Sequence, residues 1–236
     1  MRFTLFKKED DNKMSHESFT PQHRAIGIIS TLSVSILLVA YAITTILGFL
    51  SLKSPMDPIG NPYFTIMELL IILIALLLTI SMIAVHAYAS SEVKVYSLIA
   101  LVFMIILTGI TSSVHFVILS VSHPIEASGL TCAPFLFSFK WPSVVYALDI
   151  LAWDWFFAIS MLFAAPVFKG NRLETAVRVF MFISGILSLA GLIGVPLANM
   201  QVRNIGIIGY ALVSIVVFIL LGIVFGRTGC VNGDPE

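Results

Sequence analysis

Two carboxylic acids, Asp149 and Asp154, stand in a stretch that otherwise reads as oil-soluble, from Pro142 to Phe168. A carboxylate at bilayer depth costs roughly 2.5–3.5 kcal/mol on insertion scales, so an acid kept there normally faces a protein interior or a wet cavity. Such residues are the first place to look for function. Their five-residue offset rotates an α-helix by about 140°. Asp149 and Asp154 are therefore expected to face different neighbours, which would make their helix a central one with protein on two sides.

Helical periodicity groups other polar residues with them. Glu68, Ala75, Thr79, Met82 and His86 fall along one side of a helix. Thr108, Thr111, His115 and Ser122 do so on the next, and Tyr146, Asp149, Trp153 and Ser160 on the one after. Ser30, Ser33, Tyr41, Thr44 and Gly48 form a milder stripe. Glu68, His115 and Asp149 each lie six or seven residues in from the same predicted membrane boundary, roughly 9–10 Å deep at the rise of an α-helix. Three ionisable groups on three helices at one level can converge; Asp154 lies deeper, near mid-membrane.

Imidazole with carboxylates suits zinc, iron or manganese, so Glu68, His115 and Asp149 are candidate ligands of a divalent metal. The same three, with Asp154 farther along, are candidates for an ion or proton relay, because a histidine between carboxylates titrates near neutral pH. Tyr146, Trp153, Thr108 and Thr111 are the supporting candidates. The plain alternative is a set of isolated interior hydrogen bonds. Around Asp154, the aromatics Trp153, Trp155, Phe156 and Phe157 suit either a cation or simple packing.

Other chemistries lack their residues. His86 and His115 belong near opposite faces of the membrane, which argues against haem held by two histidines. No lysine lies within a span to carry a Schiff base, and neither GxSxG nor HExxH occurs. The residues lead to no family of known activity.

The elements that must position these groups follow from hydropathy. Of 236 residues 58% are apolar and 11% charged, and the mean hydropathy is +1.02, far from the roughly 25% charged content of a soluble domain. A spanning helix needs about 20 apolar residues, and six stretches qualify: about 25–50, 63–88, 95–121, 142–168, 176–198 and 205–226. The fold expected is all-α: a polytopic membrane protein, one six-helix bundle over 25–226 with polar tails at 1–24 and 227–236. Pro142 suits the first turn of its helix. The polar N-terminal stretch has no signal-peptide core, so the first apolar run is read as a retained span.

Of the 13 basic residues, Lys53, Lys140 and Arg203 fall on one predicted side and the other ten on the opposite side. The positive-inside rule then places both termini in the cytoplasm of a multi-pass cell-membrane protein. Cys132 and Cys230 fall on opposite sides and cannot pair within the chain. A net charge of zero without a basic face gives no reason to expect nucleic acid as a partner.

No internal repeat, the common transporter signature, is visible. Ser184, Ser188, Gly191 and Gly194 on the fifth span, and Gly206, Gly209, Gly222 and Gly226 on the sixth, permit close helix contact, within the chain or between copies in a homo-oligomer. The connection 122–141 is long and carries the apolar run Pro134 to Phe139. It is expected on the outer interface, or in a sharper version as a lid over the polar site, with His123 and Glu126 at the rim.

Three functions fit. The first is an outward-facing Glu/His/Asp site that binds or moves a small cation, proton or small solute across the lipid bilayer. The second is an intramembrane enzyme, metal-dependent in one form, acting on a lipid at the outer leaflet. The third is a non-catalytic scaffold or complex subunit.

Overall fold

The computed structural model describes residues 19–54, 57–127, 133–139 and 141–228, with backbone alone for 122–127, 133 and 134. The expectations for Cys132, Cys230, Lys140, the side chains of His123 and Glu126, and most of both tails lie outside the described residues. Among those residues the chain is entirely helical: α1 Pro21–Leu50, α2 Tyr63–Tyr88, α3 Lys94–Ala127, the short α4 Ala133–Phe137, α5 Val144–Val167, α6 Arg172–Gly194 and α7 Met200–Arg227. Six of the seven are long and apolar enough to cross a membrane.

Polar caps start the helices where the sequence turns. Thr20 accepts from the His23 N–H while the His23 ring accepts from the Thr20 N–H, and Pro21 follows at the first helical position. Asn171 accepts from the Leu173 and Glu174 N–H groups at the start of α6. Asn199 does the same for Gln201 and Val202 at the start of α7, and Ser143 caps α5 by accepting from Tyr146 N–H. Pro142 thus stands before the cap rather than within the first turn, because the serine oxygen satisfies the orphan donor. Likewise α7 begins at Met200, five residues before the expected start, since the polar run Met200-Gln-Val-Arg-Asn204 is capped helix and not turn.

The helices form a closed ring in chain order. α1 packs on α2, α2 on α3, α3 on α5, α5 on α6 and α6 on α7, and α7 returns to α1. The core is filled by Ile74, Leu78, Met82, Met104, Phe157, Met161, Phe218 and Phe225. Outward faces carry Ile29, Ile36, Val95, Ile105, Phe116 and Ile186 exposed, a surface suited to hydrocarbon. α5 is the deepest helix: 61% of its apolar window is buried, against 28–39% in the other five.

Both described chain ends lie at one end of the bundle. Phe19 packs against Tyr88 and Phe225, Tyr88 stacks on Phe168, and the Arg24 Nη2 donates to the Gly226 carbonyl at 2.5 Å. The polar cluster lies toward the opposite end, at the start of α2, α5 and α7 and in the latter part of α3.

Two helices are interrupted by π turns, at Leu151–Phe156 in α5 and Ile208–Val213 in α7. Such turns concentrate at functional sites. Between α6 and α7 the backbones nearly touch: a Cβ on Gly191 would lie 2.8 Å from the Gly206 backbone, and one on Gly209 2.6 Å from the Ser184 carbonyl. Gly222 fits against Thr31 and Leu32 of α1. These small residues are engaged within the chain, where they hold α6, α7 and α1 together.

Candidate functional site

Glu68 lies in the second turn of α2 and His115 on α3, both buried. They meet across the helix interface with His115 Nδ1 2.7 Å from Glu68 Oε2. The other ring nitrogen, Nε2, faces Asp149 Oδ1 of α5 at 3.5 Å, a charge contact too long and poorly aligned for a hydrogen bond. The imidazole thus stands between two acids from two different helices.

The second aspartate joins the same group, contrary to the 140° separation expected for a regular helix. Asp154 lies inside the π turn, whose i→i+5 bonds lengthen the turn and bring a residue five positions on back toward the same side. The common partner is Arg203 of α7. Its Nη2 stands 3.1 Å from Asp154 Oδ2 and 3.9 Å from Asp149 Oδ2. Both acids therefore share one guanidinium, and the expected split into two sites is replaced by one chain of charge: Glu68, His115, Asp149, Arg203, Asp154.

Arg203 is the residue that sequence reasoning placed elsewhere, in a turn on the outer side. It is instead 3% exposed, with the rings of Tyr146 and Tyr210 at 5.3 and 5.7 Å from its guanidinium carbon. Gly194 lets the α7 backbone at Arg203 approach α6. A sequence signal existed: Arg203, Gly206 and Tyr210 follow at offsets three and seven, one helical face. Tyr41 of α1 and Tyr210 of α7, within electrostatic reach of the same charges, were likewise not singled out as site residues.

Asp154 is fully buried, and its carboxylate is set in a cradle made by two glycines. A Cβ on Gly191 would come within 2.5 Å of Asp154 Oδ1, and one on Gly206 would collide with the same oxygen. The approach of Arg203 is close enough for an ion pair yet off the N–H axis, so among the described residues both carboxylate oxygens of Asp154 have no hydrogen-bond partner, nor do Arg203 Nε and Nη2. An ion pair this deeply buried is costly to assemble, several kcal/mol per ion before attraction is counted.

The supporting candidates divide. Tyr146 lies against Arg203. Trp153 packs on Phe157 and Tyr210, bracing the latter from behind. Thr111, one turn before His115, is fully buried, and its hydroxyl has no hydrogen-bond partner among the described residues. Thr108 is not with them: its hydroxyl donates to the Ala75 carbonyl at 2.7 Å and meets Thr79 Oγ1 at 2.7 Å, which ties α3 to α2. Trp155 faces outward, 46% exposed, so the aromatics about the acids are Tyr146 and Tyr210, not the tryptophan pair. His86, near the chain-end side, meets Ser97 Oγ at 2.8 Å.

Among the described residues no three His, Cys, Asp or Glu groups are arranged to hold a metal ion. The reason is visible at His115. Its two nitrogens point to opposite sides, one to each acid, so Glu68 and Asp149 cannot both converge with one nitrogen lone pair on a shared ion.

Over the cluster lies the described end of the long connection. Phe139 stacks on His115 with ring centroids 5.1 Å apart and meets Tyr146 edge-on at 6.3 Å. Phe137 and Phe139 pack on Val114, Ile118 and Val145, and the Ser143 hydroxyl bonds the Ser138 carbonyl. This part of the connection covers the site.

Three carboxyl groups thus face one guanidinium and one imidazole. Even with the imidazole protonated, one negative charge among these groups is left uncompensated, a situation a dry interior resolves with a proton or a cation. No family model, curated protein or solved structure matches the chain.

Proposed function

We propose that the protein is a multi-pass membrane protein that takes up and hands on protons through its interior charge cluster. Both termini lie in the cytoplasm, as the distribution of Lys and Arg favours, and the cluster lies toward the outer face, beneath Phe139. The observation that carries the reading is the placement of His115, with Nδ1 on Glu68 at 2.7 Å and Nε2 facing Asp149 at 3.5 Å. A ring nitrogen can release a proton to one acid while the other nitrogen receives one from the opposite acid, and imidazole is the side chain whose charge changes most readily near neutral pH.

Burial supports the same reading. Charged side chains within spanning segments mark ion pathways and proton relays because their insertion cost has to be offset by a function or a partner. Here the acids outnumber the permanent cation, which makes the proton the simplest cargo. Phe139 over His115 limits access from the outer side.

The test is acidification of proteoliposomes loaded with a pH-sensitive dye under an imposed proton gradient. Wild-type protein is expected to acidify the lumen several-fold faster than Asp149→Asn, with both forms inserted and monodisperse. Equal rates, at the level of empty liposomes, would contradict the relay.

A further inference from the structure

Resting on the relay reading above, we propose that Arg203 is a mobile internal cation that passes between Asp154 and Asp149, so that a proton arriving at Asp154 sends the guanidinium to Asp149.

The geometry has three parts. First, one nitrogen, Nη2, serves both acids, at 3.1 Å from Asp154 and 3.9 Å from Asp149, so a shift of about an ångström exchanges the partners. Second, no carboxylate clamps the guanidinium through two of its nitrogens. A clamped arginine makes paired, directional bonds to a carboxylate, whereas among the described residues both acids are approached by Nη2 alone, and Nε and Nη2 make no hydrogen bond. The head is held by the faces of Tyr146 and Tyr210, contacts that tolerate sliding. Third, among the described residues Asp154 has no partner for its charge other than this ion pair, and its cradle is glycine backbone on both sides.

An arginine stays protonated throughout and carries no proton itself. Between Asp149 and Asp154 it would therefore block a fixed relay. A mobile one couples the two ends by charge without carrying the proton across. When a hydrated proton reaches Asp154, an O–H bond of the hydronium breaks, one forms on the carboxylate and water leaves; the charge of Asp154 disappears and the guanidinium keeps its own protons while moving to Asp149. Asp149 then has a full counter-ion, and the His115 imidazolium, which shared that carboxylate, is left to release its proton to Glu68. The charged and titratable groups facing Arg203 are Asp149, Asp154, Tyr146, Tyr210 and, from α1, Tyr41, and those facing His115 are Glu68 and Asp149.

The experiment is infrared difference spectroscopy of the full chain in detergent, with isotope-labelled arginine guanidinium, titrated over about pH 5–9, the range in which histidine and perturbed carboxyls change charge. The expected result is a protonated-carboxyl band, absent in Asp154→Asn and present in Asp154→Glu, that rises together with a shift of a guanidinium band. In Asp149→Asn the carboxyl band persists and the guanidinium shift is lost. A guanidinium band that stays fixed while the carboxyl titrates would overturn the exchange, as would a chain in which Asp154 never titrates. Proteoliposomes that acidify despite a fixed guanidinium would leave the relay standing without the exchange. A shifting guanidinium without acidification would do the reverse.

Discussion

Glu68 and His115, 47 residues apart in the chain, meet at 2.7 Å in the interface between α2 and α3. The contact ties the first half of the bundle to the acids of α5, because the same imidazole faces Asp149. Removing one partner of a buried charge pair leaves the other unpaired, at a cost of roughly 3–5 kcal/mol. His115→Ala is therefore expected to lower the midpoint of thermal unfolding in detergent sharply. Adding Glu68→Gln to His115→Ala should recover part of the loss, since no bare carboxylate then remains. A double variant that loses the sum of both single effects would show the two residues to be independent.

The glycine cradle makes a steric prediction. Gly206→Ala drives a methyl into Asp154 Oδ1, and Gly191→Ala meets both that oxygen and the α7 backbone. Overpacking of this kind costs about 1–3 kcal/mol, and proton transfer should fall with it. Gly109 on α3 has open space where its Cβ would be, so Gly109→Ala should be neutral or stabilising, by up to about 1 kcal/mol from helix propensity. Thermal unfolding of the three variants side by side checks this.

Arg203→Gln leaves Asp154 without a counter-ion and Asp149 with His115 alone. The expected loss of stability is several kcal/mol, greatest at alkaline pH and shrinking as pH falls, because a proton then neutralises what the guanidinium no longer does. Combining it with Asp154→Asn should restore much of the loss. Unfolding midpoints followed across pH give the sign directly.

Phe139 stacks on His115 and screens it from that end of the bundle. Phe139→Ala should raise the rate at which an imidazole-acylating reagent modifies His115, read peptide by peptide by mass spectrometry, while His86, near the other end of the bundle, keeps its wild-type rate. Unchanged modification of His115 would remove the cover from the mechanism.

Much of this was legible in the sequence, and the parts that were not have specific causes. The six long apolar helices follow from long apolar runs, which is why 63–88 coincides with α2 and the other five runs differ from their helices only at the ends. Glu68, His115 and Asp149 could be brought to one level because α-helical rise is constant over regular segments. Asp154 could not be placed by the same ruler, since the π turn at Leu151–Phe156 breaks the 3.6-residue period. Arg203 was hidden by composition. A polar run at the lip of a span reads as a turn, whereas Asn199 caps it and Gly194 admits it to the interior. The glycines announced close packing, but not that a carboxylate would occupy the space they leave.

The role of His115 as the group that passes protons between Glu68 and Asp149 is most directly tested by nitrogen NMR of histidine-labelled protein in nanodiscs. The expected result is that the His115 ring gains and loses a proton within about pH 5–9. Replacing Asp149 by Asn should displace its midpoint by about one unit or more, the scale of a neighbouring charge. A His115 ring that holds the same number of protons across that range, in wild type and variant alike, would contradict the relay.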